Sequence, residues 1–238
     1  MNKKTPKILL LVEGQKTDLN LMNKLLNLYG ISDNHQLISY NTSIYDLYQK
    51  MFSSEDPEML DLLQVLKEHE ANPAKKKIFD NHYSDIILVF DLDPQDPRFS
   101  PEAIISMAEY FTESSDNGKL YLNYPMVESF YHMNSIPDLS FNSYVATMDE
   151  LRQGSYKSNV KKICRIPYKN FATTKNETDI IIMQNLDKAR NICDREDFIT
   201  DTDLILRKQL SALIHDKRLY VLCTCVFYIR DYNPSLLS

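Results

Sequence analysis

Three acidic signatures occur in order along this chain, each at the edge of an apolar run of strand length. They are Glu13-Gly14 after Lys7–Val12, Asp91-Leu92-Asp93 after Asp85–Phe90, and Glu128 shortly after Lys119–Tyr124. Hard divalent cations take oxygen ligands, and open parallel sheets bind ligands at the carboxyl ends of their strands. Carboxylates so placed are the raw material of a divalent-metal site, and the chemistry such a site serves is phosphoryl transfer. Gly14 removes a side chain beside Glu13 and permits an unusual backbone angle. Asp91 and Asp93, two apart on an extended chain, point the same way and can share one cation. Glu128 falls in the first turn of a helix opened by Pro125, with His132 four residues on along the same face. Each group also has a plainer reading: a turn glutamate, an acidic loop that includes Asp96, a partner for a helix dipole, and a structural histidine.

The elements that must position these groups alternate. Lys7–Val12 is a continuous apolar run, as in a parallel strand buried on both faces. After Gly14, Thr17 caps a helix with Asp18 in its first turn. Leu19, Met22, Leu25, Leu26 and Tyr29 follow at helical spacing, and Gly30 ends it. A second strand is predicted near Gln36–Tyr40, then helices over Ile44–Phe52 and Pro57–Glu70. The latter carries a stripe of Met59, Leu62, Leu63 and Leu66. Asp85–Phe90 is the least ambiguous strand. A rigid loop holds Pro94 and Pro97, a helix runs from Ser100-Pro101 to about Glu113, and Asn117-Gly118 turns into a strand at Leu120–Leu122.

Such alternation predicts an α/β fold with a mostly parallel sheet flanked by helices. Residues 1–140 form the core. Residues 141–238 form a helical, basic annex, with helices over Thr178–Cys193 and Asp203–Ile214. A segment near 219–223 is expected to return a strand to the sheet. Periodicity leaves the chain after Thr224 undecided between strand and helix.

Composition sets outer bounds. The chain has 238 residues, 25% of them charged and 43% hydrophobic, which is ordinary for a globular protein. No apolar run approaches the ~18 residues of a membrane span, and the N-terminus lacks a small-residue cleavage site, so the cytoplasm is the expected location. Cys164, Cys193, Cys223 and Cys225 form no C-x-x-C pair and read as core. The net charge is −6 but is unevenly spread: −11 over residues 1–150 and +5 over 151–238. Arg152, Lys157, Lys161, Lys162, Arg165, Lys169 and Lys175 lie in one stretch without an acid. An acidic region beside a basic stretch suits a metal site next to a polyanion track. A solvated helix face and loop fits the stretch equally well.

The words VEGQKTD, VFDLDPQD and NYPMVESFYH, taken together over roughly residues 7–133, resemble the TOPRIM superfamily. The likeness is to its stand-alone RloB-like and AbiL-like branch, related to the overcoming-lysogenization-defect nucleases. Asp18 stands where that branch usually has glutamate. The resemblance implies a TOPRIM-like fold and Mg2+- or Mn2+-dependent cleavage of nucleic-acid phosphodiesters, in RNA such as transfer RNA or in DNA. It implies proton-transfer or metal work for Glu13, metal binding by Asp91 and Asp93, and a further acid near the metals in Glu128. Asp18 is then a second-site ligand or a helix cap. It also implies an antiviral-defence effector controlled by an ATPase or sensor partner.

On this expectation Lys157, Lys161 or Lys162 reaches the scissile phosphate, and Arg152, Arg165, Lys169, Lys175 and His132 contact substrate. A non-catalytic nucleic-acid or partner-binding module on the same fold is the rival. Other phosphate enzymes fit less well. In haloacid-dehalogenase-like phosphatases the D-x-D pair ends the first strand and is followed by Thr or Val, whereas here Pro94 follows. No Gly-rich phosphate loop follows the first strand, and no G-x-S-x-G elbow is present.

Overall fold

The computed structural model describes residues 6–52, 60–198 and 200–237. Its centre is a five-stranded sheet of β1 (Lys7–Val12), β2 (His35–Ser39), β3 (Tyr83–Asp91), β4 (Thr112–Glu113) and β5 (Gly118–Asn123). The strand order is β2-β1-β3-β5-β4. β1, β2, β3 and β5 run parallel, and only the short edge strand β4 is antiparallel. Leu9 to Val12 and Ile87 to Phe90 are buried on both faces, which is why these runs are apolar without alternation. The chain leaves β1 to form β2 on one side and then returns to place β3 on the other. Order therefore reverses between β1 and β3, and the crevice at their carboxyl ends is the topological switch point where α/β sheets bind ligands.

Helices cover the sheet. α1 (Thr17–Leu28) packs its Leu21, Met22, Leu25 and Leu26 face inward, and Gly30 (φ +67°) ends the segment in a left-handed conformation. α2 (Ile44–Phe52) and α3 (Leu62–His69) follow, the latter capped by Asp61. The predicted Pro57–Glu70 helix begins in part outside the described residues. α4 (Pro73–Lys76) leads to β3, and α5 (Pro101–Tyr110) opens on a Ser100 cap. α5 stops short of the predicted Glu113, because Thr112 and Glu113 pair with β5 instead.

The annex holds α6 (Met148–Arg152), α7 (Tyr156–Cys164), α8 (Lys175–Ile192) and α9 (Thr202–Asp216). α8 starts on a capping box in which Thr174 and Glu177 satisfy each other's backbone amides. The expected return to the main sheet is corrected. β7 (Arg218–Tyr220) pairs antiparallel with β6 (Val145–Thr147) in a separate ladder. That ladder reaches the main sheet through one bridge, Tyr124 with Leu222. From Thr224 the chain is helical, passing through a 3-10 turn into α10 (Phe227–Tyr232), and a further 3-10 turn follows at Pro234–Leu236.

Polar stitches tie the annex to the core and to itself. The Thr224 hydroxyl donates to the Leu122 carbonyl at 2.6 Å, and the Cys223 amide donates to Asn185 at 2.8 Å. Lys188, 1% exposed, donates to the carbonyls of Phe141 and Tyr144. Among the described residues, no helix is long and apolar enough to cross a membrane.

Candidate functional site

Parallel pairing brings distant carboxylates to one place. The Glu13 amide donates to the Val89 carbonyl at 3.0 Å, carrying the β1–β3 ladder one residue past β1. The Glu13 side chain then turns across the crevice, and its Oε2 accepts the Asp91 amide at 3.1 Å. Asp91, 7% exposed, ends β3 opposite Asn123 of β5, whose Nδ2 donates to Asp91 Oδ1 at 3.3 Å.

Asp93 reaches the same region by another route than strand alternation. Its φ is +39°, a left-handed turn that aspartate tolerates better than most residues. Its amide is held by the Pro125 carbonyl, and its Oδ1 accepts from Gln95 Nε2 at 3.0 Å.

Asp18 is the second residue of α1 and is 6% exposed. The predicted cap is corrected: Thr17 is already helical, the cap position is Lys16, and no side chain caps there. Gly14 has a steric reason at this point. A Cβ on it would stand 2.4 Å from Asp18 Oδ2, so only glycine lets the carboxylate lie against the loop.

Glu128 sits on a 3-10 turn, Val127–Tyr131, where an α-helix was predicted. In that geometry residues four apart do not share a face, so His132 does not follow Glu128 into the crevice. His132 is 5% exposed, stacks on Tyr144 and bonds the Tyr156 hydroxyl. Burial pushes its imidazole down to about 4. It packs the core, and the expectation that it contacts substrate is corrected.

The field at this crevice is strongly negative. Burial raises Glu13 to about 8, with the charges of Asp93 and Asp18 adding to it against the Asp91 amide. Burial also raises Asp18 to about 6, aided by Glu128. Asp91 lies well above the usual carboxylate range, from burial first and then from Asp18, Glu13, Asp93 and Glu128. Asp93 is likewise raised, chiefly by burial.

Lys157 of α7 answers these five carboxyl groups, its Nζ 3.4 Å from Glu128 Oε1. Burial works to lower its pKa, but Glu128, Asp91 and Asp93 outweigh that and hold it above the ordinary value. Of the three candidate lysines, then, the structure brings Lys157 alone to the acids. Lys161 and Lys162 are exposed and form no ion pair with a described carboxylate. Arg152, Arg165 and Lys169 are exposed outside the crevice, and Lys175 pairs with Asp179 at 2.8 Å.

Two oxygens here are buried without a hydrogen-bond partner, Asp18 Oδ1 and Glu128 Oε2. An orphaned buried carboxylate oxygen is costly, and a cation is the partner that suits it. Among the described residues no three His, Cys, Asp or Glu side chains stand as a ready-made ligand set. Magnesium does not require one, since it keeps several waters and binds through one or two carboxylates plus substrate phosphate. The donor set, all hard oxygen, fits Mg2+ or Mn2+. Asp91 and Asp93 would hold such an ion, with Glu13, Asp18 and Glu128 around it.

Sequence reasoning missed Asn123. It is fully buried and fixes Asp91 from one side while its Oδ1 accepts the Cys225 amide at 3.3 Å. Cys223 and Cys225 lie beneath it, their sulfurs 3.3 Å apart, and all four cysteines are buried and free. The readable signal was a polar residue ending an apolar strand, in register with Asp91. No protein-family model matches this chain, and no match is found among curated proteins or solved structures.

Proposed function

We propose that this chain is a metal-dependent phosphodiesterase acting on nucleic acid. The observation that carries this reading is the convergence of Glu13, Asp18, Asp91, Asp93 and Glu128, from three chain segments, with Lys157 from a fourth on one switch-point crevice. A divalent ion bound there would offset charge on the phosphate and make a bound water acidic enough to attack.

The chain's own groups supply the rest. The Glu13 carboxylate, fixed by the Asp91 amide, is placed to orient or deprotonate the attacking water. Without a cation, burial keeps it largely protonated near neutral pH; a cation in the crevice would favour the ionised form that can take that proton. The Lys157 ammonium, more than half exposed where Glu128 is not, can leave Glu128 for a non-bridging phosphate oxygen and stabilise the charge that develops there. Asn123 keeps Asp91 in one orientation.

A second reading is a non-catalytic nucleic-acid-binding module, favoured by the lack of a preformed three-ligand set among the described residues. One experiment separates the two. Labelled RNA and DNA are incubated with the protein in chelator, in Mg2+ and in Mn2+, and both gel shift and product are scored. Product that appears only with metal supports the enzyme; a shift without product in any metal supports the module.

Lys157 offers a finer check. Lys157→Met should lower the cleavage rate by about a hundredfold at saturating substrate, as expected for removal of one charge-stabilising donor. Lys157→Arg, which keeps the charge, should recover part of it. Unchanged turnover in Lys157→Met would remove the lysine from the reaction.

A further inference from the structure

Two clefts flank Tyr168, beside the crevice and not part of it. One, of about 430 Å3, is lined by Lys16, Lys24, Lys169 and Tyr131 together with Tyr168. The other, of about 420 Å3, is lined by Lys161, Arg165, Ile166 and Pro167 with the same tyrosine. Among the described residues no carboxylate lines either cleft. That is notable in a chain of net charge −6.

Tyr168 is held as a platform. Its ring stacks on the buried Tyr131 ring at 3.8 Å and 8°, and its hydroxyl has no hydrogen-bond partner. Tyr131 ends the same 3-10 turn that carries Glu128. Lys16 and Thr17 directly precede Asp18. The first cleft is thus tied by two short covalent paths to the carboxylates of the crevice, and Lys161 of the second cleft shares α7 with Lys157.

Cationic clefts that share an aromatic ring are the chemistry of single-stranded nucleic acid: cationic groups track phosphates while bases stack on the ring. Each cleft is of a size that takes one small-molecule unit. Bases in a duplex are already paired and stacked and cannot reach such a ring. We propose that the clefts form a two-nucleotide track across Tyr168 that selects unpaired strands and leads them to the crevice. This inference deepens the phosphodiesterase reading by naming its substrate class, and it rests on that reading for the direction of the strand.

The test is binding, not cleavage. Fluorescence anisotropy of a labelled single-stranded octamer, in RNA and DNA forms, and of the matching duplex is measured with the full chain in EDTA. Three variants are compared: Lys16→Glu with Lys169→Glu for one cleft, Lys161→Glu with Arg165→Glu for the other, and Tyr168→Leu. The four charged positions are exposed, so the reversals should leave folding intact, and circular dichroism verifies it.

Each cleft reversal should weaken single-strand affinity at least about tenfold and flatten the dependence of log K on log salt by about 0.7 per cation lost. Tyr168→Leu should weaken it about tenfold. Lys208→Glu on α9, as a control for net charge, should stay within about twofold, and the duplex should bind more weakly than either strand. Variants that bind as the parent does, or a duplex bound as tightly as the strand, would overturn the proposal. Because metal is absent, a failed track and a failed nuclease are told apart. Loss of the track would show here, whereas lack of catalysis would show only as binding without product when metal is restored.

Discussion

Glu13→Gln and Asp91→Asn should each reduce metal-dependent cleavage by about a hundredfold or more. The two substitutions are near-isosteric, so they change charge and basicity with little change in volume. In Glu13→Gln the side-chain carbonyl oxygen can still accept the Asp91 amide and so keep the backbone arrangement. The substituted amide cannot accept a proton from water. Asp91→Asn leaves an oxygen that can still meet Asn123, but it removes a buried carboxylate at the end of β3. Raising Mn2+ should recover part of the Asp91→Asn loss, because weakened cation binding yields to concentration, and none of the Glu13→Gln loss if Glu13 acts on the water. Full activity in either variant, with unchanged circular dichroism, would remove the assignment.

The second large effect is on stability, and its sign follows from the raised carboxyl groups. Glu13 moves from 4.5 to about 8 and Asp18 from 3.8 to about 6 on folding. Each stays protonated in the fold over a range where the unfolded chain has ionised. Stability from such groups is fully present below the unfolded values and is lost as pH rises through the folded ones. In chelator, therefore, Tm should fall between about pH 4 and pH 8, by roughly 10 °C relative to a Glu13→Gln, Asp18→Asn double variant. The variant should melt higher at pH 8 than the parent. Mg2+ or Mn2+ should raise the Tm of both at pH 8, since both keep Asp91 and Asp93 and a ligand that binds only the folded state stabilises it. Parallel melting curves for parent and variant across this window, with no response to metal, would mean that burial does not hold these carboxyls protonated in the fold.

Much of this arrangement could be read from the chain alone, for reasons that are physical. Lys7–Val12 and the apolar core of Asp85–Phe90 lie in strands because runs without alternation suit strands buried on both faces, and both ended in acids. The start of α2 at Ile44 was equally plain from helical spacing. What escaped were features set by tertiary contact. Glu128 lies on a 3-10 turn because the chain after Pro125 is packed between α1 and α7, and local spacing does not report that. His132 lost its expected face for the same reason. Asp93 faces the crevice through a left-handed backbone angle, which an alternation rule does not foresee. β7 pairs with β6 rather than with the main sheet, a choice between two distant partners that periodicity does not make. Among Lys157, Lys161 and Lys162, three lysines within six residues, only the docking of α7 against the Glu128 turn separates one from the others.

The direct measurement of the central claim is Mn2+ binding followed by electron paramagnetic resonance, with no nucleic acid present. The parent protein should take up Mn2+ and lose free-ion signal, Asp91→Asn with Asp93→Asn should weaken that uptake at least tenfold, and excess Mg2+ should compete it away. Uptake that is absent in the parent, or unchanged in the double variant, would show that the buried carboxylates at the ends of β1 and β3 do not form a cation site.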